Sequence, residues 1–141
     1  MVTAPGLTGL PLVEALTRAQ RRMARGLAVL LAEDGASLDQ FRVLRALAGT
    51  EGRSMGDLAE SLEAPPPTVT RVVDGLADTG LVYRRQSDTD RRRVTVHLSR
   101  VGAQRLERLT ALVESHEAAV RASQEWAALR EQLVELLGPR G

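Results

Sequence analysis

"LADTGLVYRRQSDTDRRRVTVHLS", residues 76–99, contains the point at which the chain changes its period. Before Gly80 the apolar residues recur at steps of three and four, the spacing of one helical face. After it, "LVYRRQS" and "RVTVHLS" alternate apolar with polar, as in Val94, Val96 and Leu98. Two such segments flanking the "DTDR" turn predict a β-hairpin set into a helical chain. The hairpin is crowded with charge: residues 84–93 hold five arginines against two aspartates. Across 37–100 ten arginines face nine acids, so the excess is local to the turn.

Working upstream, "EAPPPTVTRVVDGLADTG" (63–80) predicts a helix that starts at its prolines, whose missing N–H groups have no helical partner in the first turn. Gly80 closes it. "RSMGDLAESL" (53–62) has Ser54 as N-cap with Asp57 three residues on, and buries Leu58, Ala59 and Leu62. "ASLDQFRVLRALAG" (36–49) carries the capping-box pair Ser37 and Gln40, an apolar face of Phe41, Leu44 and Leu47, and Gly49 as terminator. From about residue 10 to 32, Val13, Leu16, Met23, Leu27 and Leu30 share one face, with Gln20 in the remaining heptad slot. Arg18, Arg21, Arg22 and Arg25 on the other side read as a solvated basic face. Downstream of Ser99 the helical period returns through Leu106, Leu109, Val113, His116 and Val120. It then runs through Trp126, Leu129, Leu133 and Leu136 to Gly138-Pro139.

The composition bounds the function classes. A chain of 141 residues, 43% hydrophobic and 26% charged, suits one globular domain. Its net charge of +1 is uninformative, but all 19 basic residues are arginine, whose planar fork matches phosphates and guanine edges. The absence of cysteine excludes disulfides, thiolate metal sites and thiol chemistry within this sequence. Phe41, Tyr83 and Trp126 are the only aromatics, too few for binding modes that stack bases. "MVTAPGLTGLPLVEAL" has no signal-like pattern and no run approaches a membrane span, so a cytoplasmic protein without membrane partners is expected.

Two short helices joined by a four-residue connection and followed by a hairpin describe a winged helix-turn-helix, in a fold mainly α with a small β-hairpin wing. In the second of these helices Val69, Val73 and Leu76 form the buried stripe. Pro67, Arg71, Asp74 and Asp78 face outward, with Thr68 and Thr70 on the flanks. Thr68, Thr70 and Arg71, near the helix start, are side chains of the kind that reach base edges and phosphates in a major groove.

The stretch from Leu58 to Leu106 resembles the DNA-binding core of the MarR (multiple antibiotic resistance regulator) family. The matching positions are Val69-Thr70-Arg71, Asp74, Leu76, Gly80-Leu81-Val82, Asp90 and Arg92 at the wing, and Leu98-Ser99 before Gly102. The helix order extends the resemblance over essentially the whole chain. Two positions depart from the pattern: Gly75 replaces a long, often basic residue, and Pro65-Pro66-Pro67 a polar helix start. The resemblance implies a sequence-specific regulator, a ligand-responsive repressor, that binds double-stranded DNA at a pseudo-palindromic operator. It places Pro67, Thr68, Thr70 and Arg71 in the major groove and Arg92 in the minor groove, with Asp90 orienting Arg92. Arg91 and Arg93 are expected to meet phosphates or to point away on alternate faces of the strand. An effector of unknown identity is expected between the dimer helices and the winged domain.

Apolar stripes on the first helix and the last two exceed what a small winged-helix core needs, and unpaired they would leave large exposed patches. A homodimer is expected, with Val13, Leu16, Met23, Leu27, Leu109, Val113, Trp126 and Leu133 at its interface. The expected division is an N-terminal dimerisation helix (1–36), the winged helix-turn-helix (37–100) and C-terminal dimerisation helices (101–141), intertwined as one unit. An enzyme finds little support: no phosphate loop, no HExxH, no cysteine nucleophile, and His97 and His116 lie in different elements. His116 reads as a packed or interface residue and His97 as an exposed wing residue; no metal or cofactor is expected. The alternative reading is a winged-helix protein-interaction module whose arginines meet an acidic partner rather than an operator.

Overall fold

Serine hydroxyls start three of the helices. In the computed structural model, which describes residues 10–138, Ser37 opens helix α2 (Leu38–Leu47) with both halves of the capping box. Its hydroxyl accepts the Gln40 N–H at 3.1 Å, and Gln40 Oε1 accepts the Ser37 N–H at 3.1 Å. Ser54 caps α3 (Met55–Leu62) through the Asp57 N–H. Ser99 caps α5 (Arg100–Arg121) through the Gly102 N–H at 2.9 Å. Helix α4 (Pro66–Asp78) starts without a side-chain cap; Pro66 and Pro67 fill its first two positions, where no amide is needed. The long α1 (Leu12–Glu33) precedes α2, and α6 (Gln124–Leu137) follows α5, so the helices among the described residues number six.

The connection between α3 and α4 has three residues, Glu63, Ala64 and Pro65, not four. Glu63 turns the chain in the left-handed region at φ 50°.

The hairpin forms as expected, with β2 (Val82–Gln86) antiparallel to β3 (Val94–Leu98) in the register Arg84↔Val96. A third strand, β1 (Arg53–Ser54), joins the other edge of β3, giving the order β1-β3-β2. Two residues are too short to show alternation, so this strand is silent in the sequence. The wing loop is longer than a tight turn. It spans 87–93 and is closed by the Ser87 N–H on the Arg93 carbonyl (2.8 Å) and the Arg93 N–H on the Asp90 carbonyl (3.0 Å).

The core lies where α2, α4, the sheet and α5 meet. Leu31, Leu44, Leu47, Leu58, Val73, Leu76, Val96 and Leu109 are almost fully buried there, each worth about 1.5–3 kcal/mol of transfer free energy. Val72 joins Val69, Val73 and Leu76 in the buried stripe of α4, while Leu62 is only half-buried. Gly102 sits where α5 crosses the start of the wing, and a Cβ there would stand 1.9 Å from the Leu81 carbonyl oxygen. Ser99 ties the same junction, its hydroxyl donating to the Gly80 carbonyl at 2.6 Å.

Leu109 and Val113 correct the expected interface. They are 0% and 8% exposed within the single chain, so they belong to its own core and offer no surface to a second copy. Leu12, Val13, Met23 and Val29 on α1, and Val134, Leu136 and Leu137 on α6, stand exposed instead. Leu16, Leu27, Trp126 and Leu133 are half-buried. Gly138 ends α6 at φ 68°; Pro139 and residues 1–9 lie outside the described residues.

Candidate nucleic-acid interface

Burying Val69, Val72, Val73 and Leu76 turns the opposite face of α4 to solvent, and Pro67, Thr70, Arg71, Asp74 and Asp78 are exposed on it. Thr68 is half-buried on the flank. Thr70 spends its hydroxyl hydrogen on its own helix, donating to the Pro66 carbonyl at 3.0 Å, and so presents only acceptor lone pairs outward. The Arg71 side chain makes no hydrogen bond or ion pair among the described residues.

The wing adjoins this face. Arg84 of β2 reaches back to form an ion pair with Asp74 of α4. Arg85, one residue on, points to the other side of the strand, 3.8 Å from Asp88. At the loop tip Arg91 and Arg92 are exposed. Asp90 Oδ1 accepts the backbone N–H of Arg92 at 3.0 Å, so this carboxylate shapes the loop rather than gripping the Arg92 guanidinium.

His97 is not the exposed wing residue expected. Its ring stacks on Tyr83 with centroids 5.2 Å apart, and Nε2 lies 2.8 Å from the Thr95 hydroxyl. It also covers Gly52, where a Cβ would come within 2.3 Å of the ring. Gly52 makes room for it at φ 101°, and nothing in the alternation of β3 reveals that neighbour. His116 packs over Gly26 of α1, 3.8 Å from where a Cβ would stand, in keeping with a packed histidine.

Sequence reasoning missed Asp34. At the end of α1 its carboxylate accepts Arg105 Nη1 at 2.5 Å and Arg108 Nη2 at 2.7 Å, and its carbonyl accepts Arg105 Nη2. Hydrogen bonding from Arg108 holds the Asp34 carboxyl below its ordinary range; burial opposes this, and the charges of Arg108 and Arg105 reinforce it. The clasp fastens α1 to α5. Beside it a cavity of about 240 Å³ opens between the α1–α2 turn, α2, the end of α4 and α5, lined by Ala36, Gln40, Leu44, Thr79, Arg105 and Leu109 among others. No helix among the described residues is long and apolar enough to cross a membrane.

Comparison with known proteins is consistent with this architecture. The family model described as "MarR family" matches residues 34–93. The chain is 37% identical over 121 residues to an HTH-type transcriptional regulator of Mycobacterium leprae, covering 86% of this chain and 76% of that one. The transcriptional repressor CouR, solved bound to a 23-mer DNA duplex, superposes with a TM-score of 0.83 at 28% identity, over 98% of this chain and 99% of its own. Apo MarR from E. coli gives a TM-score of 0.78 at 25% identity, over 92% of this chain and 98% of its own.

Proposed function

This chain belongs to the MarR family of transcriptional regulators, and from that premise we propose that it is a cytoplasmic, ligand-responsive repressor that binds a pseudo-palindromic operator in double-stranded DNA as a homodimer. It acts by binding rather than by catalysis. The observation that carries the reading is the outward face of α4: Pro67, Thr70 and Arg71 are exposed there while the same helix is anchored by four buried residues, and an arginine-rich wing is tied alongside. In this reading Arg71, flanked by Thr68 and Thr70, reads base edges in the major groove, Arg92 enters the adjacent minor groove, and Arg91 neutralises a phosphate. Asp90 serves Arg92 through the loop backbone.

The exposed apolar residues of α1 and α6 support the dimer, since a second copy would cover them and present two copies of α4 to a two-fold site. The cavity beside Arg105 is the place for the effector, because it lies between the long helix α5 and the winged domain.

Selection of bound duplexes from random DNA, followed by affinity measurement at several salt concentrations, tests the reading. Expected are an enriched two-fold sequence and affinity falling steeply with salt. An absence of duplex affinity, or binding to an acidic protein in its place, overturns it. Sedimentation tests the assembly. Leu16→Glu places a charge on the half-buried seam and should give a folded monomer, whereas Leu109→Glu should unfold the chain by burying that charge in its own core.

A further inference from the structure

Asp74 stands on the face of α4 that carries Pro67, Thr70 and Arg71, a poor position for a negative charge if that face meets phosphates. Its carboxylate is paired with the Arg84 guanidinium, and among the described residues this is the only ion pair between α4 and the sheet. Both ends have firm roots. Arg84 lies in the β2–β3 ladder opposite the fully buried Val96, two residues after the buried Val82. Asp74 follows the fully buried Val73. Gly75 beside it has nothing within 4 Å of where a Cβ would stand, so position 75 itself adds no side chain to brace α4 against the wing. Glycine inside a helix also loosens it locally.

We propose that Asp74 and Arg84 are positioning residues for operator recognition. Their ion pair fixes the wing relative to α4, so that the helix and the wing loop engage neighbouring grooves together, and it cancels the charge of Asp74 on the contact face. The proposal rests on the operator-binding reading above. It differs in sign from a purely electrostatic role: removing an acid beside DNA should tighten all binding, whereas removing a positioning residue should weaken specific binding alone.

Two measurements on the full chain test it. The first compares wild type, Asp74→Asn and Asp74→Glu on a duplex selected by the wild type and on a random duplex. Asp74→Asn should lose about tenfold on the selected duplex, the scale of a coupled pair, without loss on the random one, and Asp74→Glu should retain most of the affinity. The second uses the lack of cysteine: spin labels at Asp78→Cys and Thr89→Cys report the distance from α4 to the wing in DNA-free protein diluted with unlabelled chain. That distribution should broaden in Asp74→Asn. Equal tightening on both duplexes, or an unchanged distance distribution, overturns the proposal. A wild-type chain without duplex affinity defeats the operator reading instead, and the label distances then report the wing restraint independently.

Discussion

The carboxylate of Asp90 accepts the backbone N–H of Arg92 at 3.0 Å. Around it the wing loop is held by backbone bonds from Ser87 to Arg93 and from Arg93 to Asp90. Asp90 therefore controls where the loop places Arg92, and does so without consuming its guanidinium. Asp90→Ala should weaken operator binding although it deletes a negative charge beside DNA, because the amide loses its acceptor and the loop its shape. Asp90→Asn keeps an acceptor oxygen and should bind nearly as wild type. Titration of one operator with the three proteins decides; tighter binding by Asp90→Ala shows the carboxylate to be only a repulsive charge.

Asp34 makes the stability of the α1–α5 clasp depend on pH. Its carboxyl is held below the ordinary range in the folded chain, chiefly by hydrogen bonding from Arg108. A depressed folded pKa contributes stability that is fully present above the unfolded value, near pH 4, and is lost as pH falls through the folded one. Asp34→Asn should therefore be less stable than wild type at pH 7, and the difference should shrink steadily below about pH 4. Denaturant unfolding at pH 7, 4 and 3 measures it. A gap that stays constant across that range shows the clasp contributes nothing through ionisation.

Gly102 gives a sharper test of packing. In sequence it is only a motif position, one small residue three after Ser99. In the fold it is the point where α5 runs over the Leu81 carbonyl, and a Cβ would lie 1.9 Å from that oxygen. Backbone cannot yield as a flexible side chain would, so Gly102→Ala should destabilise by about 3 kcal/mol or more, among the larger single-site effects. Thermal melting of Gly102→Ala beside Gly49→Ala separates crowding from φ strain. Gly49 has open space but φ 71°, so it should suffer only the smaller conformational penalty.

Elements with a repeated local signal were legible in the sequence. Ser37 with Gln40, the Val69–Val73–Leu76 stripe and the alternation of Val94 to Leu98 each follow from spacing, because caps, helices and strands are local devices. What depends on tertiary neighbours was not. The strand Arg53–Ser54 exists only because β3 lies beside it, and His97 is covered because Gly52 leaves a gap. The Leu109–Val113 stripe has the same period whether its partner is α1 and α2 of its own chain or a second copy, so periodicity alone assigned it wrongly. Asp34 carried no signal, since its two arginines are more than seventy residues away. At the candidate interface the outward residues of α4 were readable from helical geometry, but the Asp74–Arg84 pair, which joins two elements, was not.

The three consecutive arginines separate in their consequences. All three are exposed, but Arg93 has both backbone groups engaged in closing the loop and so stands at its base, with Arg91 and Arg92 at the tip. An arginine inserted in a minor groove gains from the negative potential of a narrow groove, which A·T-rich sequence provides. Arg92→Ala should therefore lose most affinity on operators with A·T-rich flanks and less on G·C-rich ones. An arginine that only neutralises a phosphate is blind to sequence. Arg91→Ala should weaken every duplex alike and reduce the magnitude of the salt slope by about one. Arg71→Ala offers the internal standard: a base contact from α4 should cost about 1–3 kcal/mol on the operator, whatever the flanks. Affinities of the three variants at four salt concentrations on both flank types distinguish the roles. If Arg91→Ala and Arg92→Ala are indistinguishable and neither responds to the flanks, the wing is a diffuse cationic patch and only α4 reads sequence.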